Sequence, residues 1–119
     1  MRADLEQQLK NDFTFLQAGS GPYEQYGIEV QDGWYDLLYA MCSEIQAAGG
    51  DFRVSQIKSK YGRLRVYYQT DNRLIDNIVV KYGTLSATVC ALCGKPGTYR
   101  REHIIVLCDN CSTQCAGQS

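Results

Sequence analysis

Apolar positions change period along the chain, and each change marks an element. Leu5, Leu9, Phe13 and Leu16 recur at helical spacing among polar residues, which predicts an amphipathic helix over residues 4–17. Gly19-Ser20-Gly21-Pro22 breaks it, and a short strand is predicted over 26–30. Asp32 is a candidate N-cap for a second helix, whose buried side carries Trp34, Leu37, Leu38, Met41 and Ile45 and which Gly49-Gly50 ends. From residue 52 the period falls to two. Arg63 to Tyr68 alternates, so Leu64, Val66 and Tyr68 share one face of a strand. With Tyr61-Gly62 as the turn, residues 52–69 form a hairpin. Thr70 or Asp71 then caps a third helix with the apolar stripe Leu74, Ile75, Ile78, Val79, Tyr82 and Leu85.

That helix runs almost directly into CALCGKPGTYRREHIIVLCDNC, residues 90–111. Its cysteines form two C-x-x-C pairs, Cys90/Cys93 and Cys108/Cys111, separated by 14 residues. A C-x-x-C turn places two thiolates on one side of a tight loop, and two such loops facing each other complete a tetrahedron. Gly94 relieves the first turn because it tolerates positive φ. Pro96-Gly97 starts an excursion, and the β-rich run Ile104 to Leu107 leads back to Cys108. The expectation is a zinc ribbon, two knuckles joined by a β-hairpin, with structural Zn²⁺ on Cys90, Cys93, Cys108 and Cys111. A segment this short folds on a metal, not on an apolar core. Backbone amides, Lys95, Arg100 and Arg101 are available to offset the charge of four thiolates. Two local disulfides, or a redox C-x-x-C, are the other uses of such cysteines. His103, the single histidine, and Cys115 are spare donors, and Cys42 beside Met41 is expected as a buried hydrophobe.

The predicted class is α+β: helices packed on a small antiparallel β-hairpin, followed by a Cys₄ ribbon. Residues 1–88 form the body, and residues 89–119 form the ribbon and a short tail packed on it. At 119 residues, 45% of them hydrophobic and 21% charged, the chain has the composition of an ordinary globular domain. The N-terminus does not read as a signal peptide and no run reaches membrane-spanning length, so a cytoplasmic setting and no membrane partner are expected.

Charge is uneven. Residues 1–50 carry two basic against eight acidic side chains, a balance of −6, whereas residues 51–119 carry ten against five, a balance of +5. Within residues 53–68 lie Arg53, Lys58, Lys60, Arg63 and Arg65, interleaved with Tyr61, Tyr67 and Tyr68 and with no acid. Such a pattern suits phosphate pairing and base stacking, and equally the outer face of an ordinary strand. The chain pI of about 5.7 argues against a dedicated duplex binder. Lys58, Lys60, Arg63, Arg65, Tyr67, Arg100 and Arg101 are the candidate contacts. Catalytic machinery is not expected: one histidine supplies no Ser/His/Asp set, GSGPYEQYG fits no phosphate loop, and four cysteines leave zinc no open position.

GWYDLLYAMCSEI (33–45), QIKSKYGRLRVYY (56–68) and CALCGKPG (90–97) together resemble a family of small uncharacterised bacterial and phage proteins. Its pattern is a GWY helix, a Q-I-K-x-K-[FY]-G-x-L-R-[FV]-Y hairpin and a C-x-x-C-G-x-P-G knuckle with a later C-x-x-C or C-x-x-H. The middle motif fits at Gln56, Ile57, Lys58, Lys60, Gly62, Leu64, Arg65 and Tyr67, and the resemblance spans about residues 30–111. It implies a phage or mobile-element setting and lends no catalytic residue. The expected function is therefore a non-catalytic zinc-ribbon interaction protein that binds, and by analogy inhibits, a host protein or nucleoprotein complex such as a defence system. Direct DNA or RNA binding through the basic aromatic hairpin 53–68 is the alternative, a thiol enzyme a distant third. A small-molecule substrate is not suggested.

Overall fold

The computed structural model describes residues 1–16 and 28–117. Helix α1 spans Ala3–Asp12, and a 3-10 turn follows at Thr14–Leu16. Strand β1 is Ile28–Glu29, and a 3-10 turn at Asp32–Trp34 opens into helix α2, Tyr35–Ala48. Strands β2 (Phe52–Lys60) and β3 (Arg63–Thr70) form the hairpin, and helix α3 spans Arg73–Ser86. The C-terminal part holds β4 (Thr98–Arg100), β5 (Ile105–Leu107) and helix α4 (Asp109–Gly117). The chain is α+β, with one three-stranded and one two-stranded sheet.

The first helix is shorter than its period implies. Phe13 is extended, so the run splits there, yet Leu9, Phe13 and Leu16 are all buried. The predicted break at 19–22, and residues 26 and 27 of the predicted strand, lie outside the described residues. Asp32 is not the helix cap. It starts the 3-10 turn, and its carboxylate accepts the Arg2 backbone amide. The third helix is capped by neither candidate but by Asn72, the residue after Asp71: its Oδ1 accepts the Leu74 amide at 3.0 Å. Its Nδ2 donates to the carbonyls of Ala48 and Gly49, so one asparagine satisfies the start of α3 and the end of α2. Thr70 supports it by accepting the Asn72 amide.

The main sheet is mixed, not purely antiparallel, because β1 pairs parallel with β2. The two-residue β1 is held on its outer side by Glu6, which accepts the Ile28 amide at 2.6 Å. In the hairpin, Lys58 faces Arg65 and Lys60 faces Arg63 across the strands. A bulge between Val54 and Gln56 switches the parity of β2. Phe52 and Val54 therefore point to the same side as Ile57, and this side meets Leu64, Val66 and Tyr68.

The core lies on that side, where Trp34 of the 3-10 turn and Leu38, Met41, Cys42 and Ile45 of α2 meet Ile57, Leu64 and Ile75. Each large apolar side chain removed from water there contributes about 1.5–3 kcal/mol. Phe13, Phe15, Tyr39, Phe52 and Tyr68 extend the core as a chain of stacked, tilted and edge-on rings. Helix α3 runs along β3, and the buried Ser86 hydroxyl accepts the Leu64 amide at 2.9 Å. Arg63 reaches the Gly83 carbonyl and the Thr84 hydroxyl. Of the predicted α3 stripe, Ile75 and Tyr82 are buried and Ile78 and Val79 partly so, whereas Leu74 and Leu85 are exposed. No helix among the described residues is long and apolar enough to cross a membrane.

Candidate metal centre

The ribbon forms where α3 stops. In the first knuckle, the Cys90 amide donates to the Lys95 carbonyl at 2.7 Å and the Gly94 amide to the Cys90 carbonyl at 2.9 Å. This tight loop turns at Gly94, whose φ is +83°, a conformation that costs a side-chain-bearing residue about 1 kcal/mol or more. The chain then pairs Val89 with Pro96 and leads into the β4–β5 hairpin, in which Thr98 faces Leu107 and Arg100 faces Ile105. Gly97 lets the two knuckles close, since a Cβ there would lie 2.8 Å from the Leu107 carbonyl carbon and oxygen.

The second knuckle is the first turn of α4. The Cys111 amide donates to Cys108 Sγ at 3.4 Å, and the Ser112 amide donates to the Cys108 carbonyl. A helix N-terminus pointing its amides at sulfur favours the thiolate. Arg100 braces this knuckle by donating to the Leu107 carbonyl and to the Asp109 carboxylate at 2.8 Å.

Cys90, Cys93, Cys108 and Cys111 converge, with all four sulfurs within 4.8 Å of one another. Cys93 and Cys108, from different pairs, are 3.6 Å apart. Zinc–sulfur bonds of about 2.3 Å place the sulfurs of a tetrahedron roughly 3.8 Å apart, so the cluster fits Zn²⁺ with little adjustment. Two local disulfides would not require the pairs to meet.

The titration pattern fits a cation site. Burial raises Cys90, yet backbone hydrogen bonds with Cys108, Cys93 and Leu92 more than reverse this and bring it to about 6. Cys108 is lowered chiefly by its backbone bond with Cys111. At Cys93 a backbone bond with Lys95 favours the thiolate, but desolvation and the sulfurs of Cys108 and Cys90 outweigh it and the group is raised. Cys111 is pushed up by burial and then by Cys108, Cys93 and Cys90. Without a cation the cluster resists full ionisation, and a dication removes that resistance.

The knuckle is seated on the body by residues the sequence patterns alone did not single out for this role. The Gly33 amide donates to the Ala91 carbonyl at 2.8 Å, and the buried Trp34 Nε1–H donates to the Val89 carbonyl at 2.8 Å. A Cβ on Gly33 would sit 2.3 Å from the Cys90 carbonyl oxygen. The available signal was glycine at the entrance to a helix, where it is a poor former and marks a close backbone approach. A second seat joins the turn to the ribbon: Gly62 has φ of +77°, and a Cβ there would lie 2.2 Å from the Tyr99 ring.

Lys58, Lys60, Arg63, Arg65 and Tyr67 are brought together on the outward side of the hairpin. Arg100 stands apart, occupied by the second knuckle, and Arg101 is exposed in the β4–β5 turn. His103 is exposed in the same turn and joins no cluster of potential ligands among the described residues. Cys42 is buried, and burial pushes its thiol up to about 12. The Cys115 side chain lies outside the described residues. No protein-family model, curated protein or solved structure matches the chain. Fold and site thus define an α+β protein with a Cys₄ centre that can hold a metal ion and suits zinc.

Proposed function

We propose that the chain is a non-catalytic binding module in which structural zinc on Cys90, Cys93, Cys108 and Cys111 props a contact surface, the outer face of β2–β3. The observation that carries this is the convergence of four sulfurs into a closed set. Four thiolates fill a tetrahedral ion, so the metal stiffens the segment and offers a substrate no position. The stiffened ribbon abuts the hairpin turn through Tyr99 and Gly62, which fixes the end of the basic face. The proposed partner is an anionic surface of a protein or nucleoprotein complex, recognised by charge complementarity. The resemblance of the GWY, QIKSKYG and CALCGKPG motifs supports a phage or mobile-element setting, with a host complex as the target.

The test is affinity capture from a bacterial lysate with the zinc-loaded chain and with a Lys58→Glu, Lys60→Glu, Arg65→Glu variant. A partner held in stoichiometric amount by the first and lost by the second is expected. Equal capture by both rejects the surface, and a variant that loses zinc instead rejects the separation of prop from contact.

A further inference from the structure

Cross-strand register sorts the hairpin into two faces. The outward one carries the rows Gln56/Tyr67, Lys58/Arg65 and Lys60/Arg63. Rows along a strand are roughly 7 Å apart, and side chains across the pair roughly 5 Å. Not every cation there is available. Arg53 pairs with Asp51 at 3.2 Å, and Arg63 is held by the Gly83 carbonyl and Thr84. Lys58, Lys60 and Arg65 make no ion pair among the described residues. Tyr67 stands among them 43% exposed, with the Lys58 ammonium 5.5 Å from its ring centre. Tyr61, 64% exposed, occupies the turn, and Tyr99, 41% exposed, lies against Gly62 of the same turn.

We infer that the outer face of β2–β3 takes single-stranded nucleic acid, DNA or RNA, with Tyr67 as a stacking platform and Lys58, Lys60 and Arg65 on the phosphates. This deepens the binding-module reading and rests on it. An acidic protein surface would use the cations and take the tyrosine ring only as contact area at its edge, without stacking on it. An unpaired strand uses both, because every base has a free π-face beside a charged backbone. A duplex stacks its bases on one another. A two-stranded ribbon can enter its major groove, about 12 Å wide. Here β1 flanks one side of the hairpin and α3 the other, so the element is too broad to enter. Glu29 marks the edge of the track: it pairs in register with Lys58, accepts from Gln56 and repels phosphate. The strand therefore runs on the β3 side, from Tyr67 toward the turn at Tyr61. Lys58 over Tyr67 is no obstacle. An exposed cation–π contact is weaker than a stacked base, and the displaced ammonium stays within reach of the adjoining phosphate.

Fluorescence anisotropy on the full zinc-loaded chain tests this with labelled single-stranded DNA, single-stranded RNA, the matching duplex and polyglutamate. One or both single strands should bind more tightly than the duplex and polyglutamate. Tyr67→Ala should weaken that binding about five-fold or more while Tyr67→Phe retains it. Lys60→Ala with Arg65→Ala should reduce the log–log salt slope by about 1.4. The sites are exposed, so Trp34 emission serves as the check that each variant folds. Equal affinity for the duplex, or unchanged affinity in Tyr67→Ala, overturns the inference in favour of a plain cationic patch. Equal affinity for polyglutamate overturns it in favour of an acidic protein. Absence of binding to either strand overturns it too, and the binding-module reading then still stands if charge reversal abolishes capture of a lysate partner.

Discussion

Replacing Gly33 by alanine tests whether the body and the metal knuckle are one packed unit. The added methyl would lie 2.3 Å from the Cys90 carbonyl oxygen and 2.5 and 2.6 Å from the Ala91 carbonyl carbon and oxygen. All three are backbone atoms, so no side chain can swing aside. Relief requires the knuckle to retreat by about 1 Å, since such contacts are ordinarily wider than 3.4 Å. That retreat stretches two hydrogen bonds now at 2.8 Å, Gly33 N–H to Ala91 and Trp34 Nε1–H to Val89. Each is worth about 0.5–1.5 kcal/mol net, and stranding a buried indole N–H costs about 1–3 kcal/mol. The expected loss is about 2–4 kcal/mol. Urea unfolding of the zinc-loaded chain reads it through the emission of Trp34, the single tryptophan. Gly83→Ala in α3 is the control, because its Cβ would meet only the Leu64 carbonyl oxygen at 3.5 Å. Alanine in a helix interior should stabilise there by about 0.5–1 kcal/mol. A Gly33→Ala midpoint within error of the parent chain would refute the proposed seat.

Three further outcomes follow from burial and backbone geometry. Ile104 is a β-branched residue at φ of +56° in the β4–β5 turn and is 56% exposed, so Ile104→Asn should stabilise by about 1 kcal/mol in urea melts; a lower midpoint would mean that its contacts outweigh the strain. Cys42 is buried with its thiol at about 12, so a maleimide at neutral pH should leave it unlabelled until the chain unfolds, and rapid labelling of the native protein would contradict its burial. Tyr68 and Tyr82 are both raised to about 12, first by burial and then by their bonds to Asp76 and Glu44. Their folded values exceed the unfolded value of 10, so their stabilisation is complete below pH 10 and lost as pH rises toward 12. The part of the tyrosinate absorbance that a Tyr68→Phe, Tyr82→Phe variant lacks should therefore appear in the parent chain together with unfolding, and its appearance near pH 10 in the folded chain would refute this.

The cysteine spacing and the period-two run of the hairpin were legible because each is a local pattern with one dominant physical use. Cys90, Cys93, Cys108 and Cys111 converge as the two C-x-x-C pairs require, and Tyr61-Gly62 makes the turn. What stayed hidden depends on partners distant in sequence. Asn72 caps α3 because the ends of α2 and β3 converge on it, which no local signal separates from Thr70 or Asp71. The parallel β1 is two residues long and depends on Glu6 for its outer hydrogen bond. The bulge before Gln56 was readable in principle, since Val54 and Ile57 are both apolar and three apart. Leu74 and Leu85 belong to the α3 period but lie beyond the reach of the sheet. The cationic residues of the hairpin share a face as alternation dictates, while the commitment of Arg63 to α3 and of Arg100 to Asp109 follows only from packing.

Hydrogen exchange of residues 90–111 in the reduced chain, with and without a zinc chelator, tests the central claim most directly. With metal, the amides of Cys90, Ala91 and Gly94 should be protected by the bonds they make to Lys95, Val106 and Cys90. After chelation that protection should vanish while α2 and α3 keep theirs, because a segment this short folds on its metal. Residues 90–111 that stay protected in a metal-free, reduced chain would contradict the account.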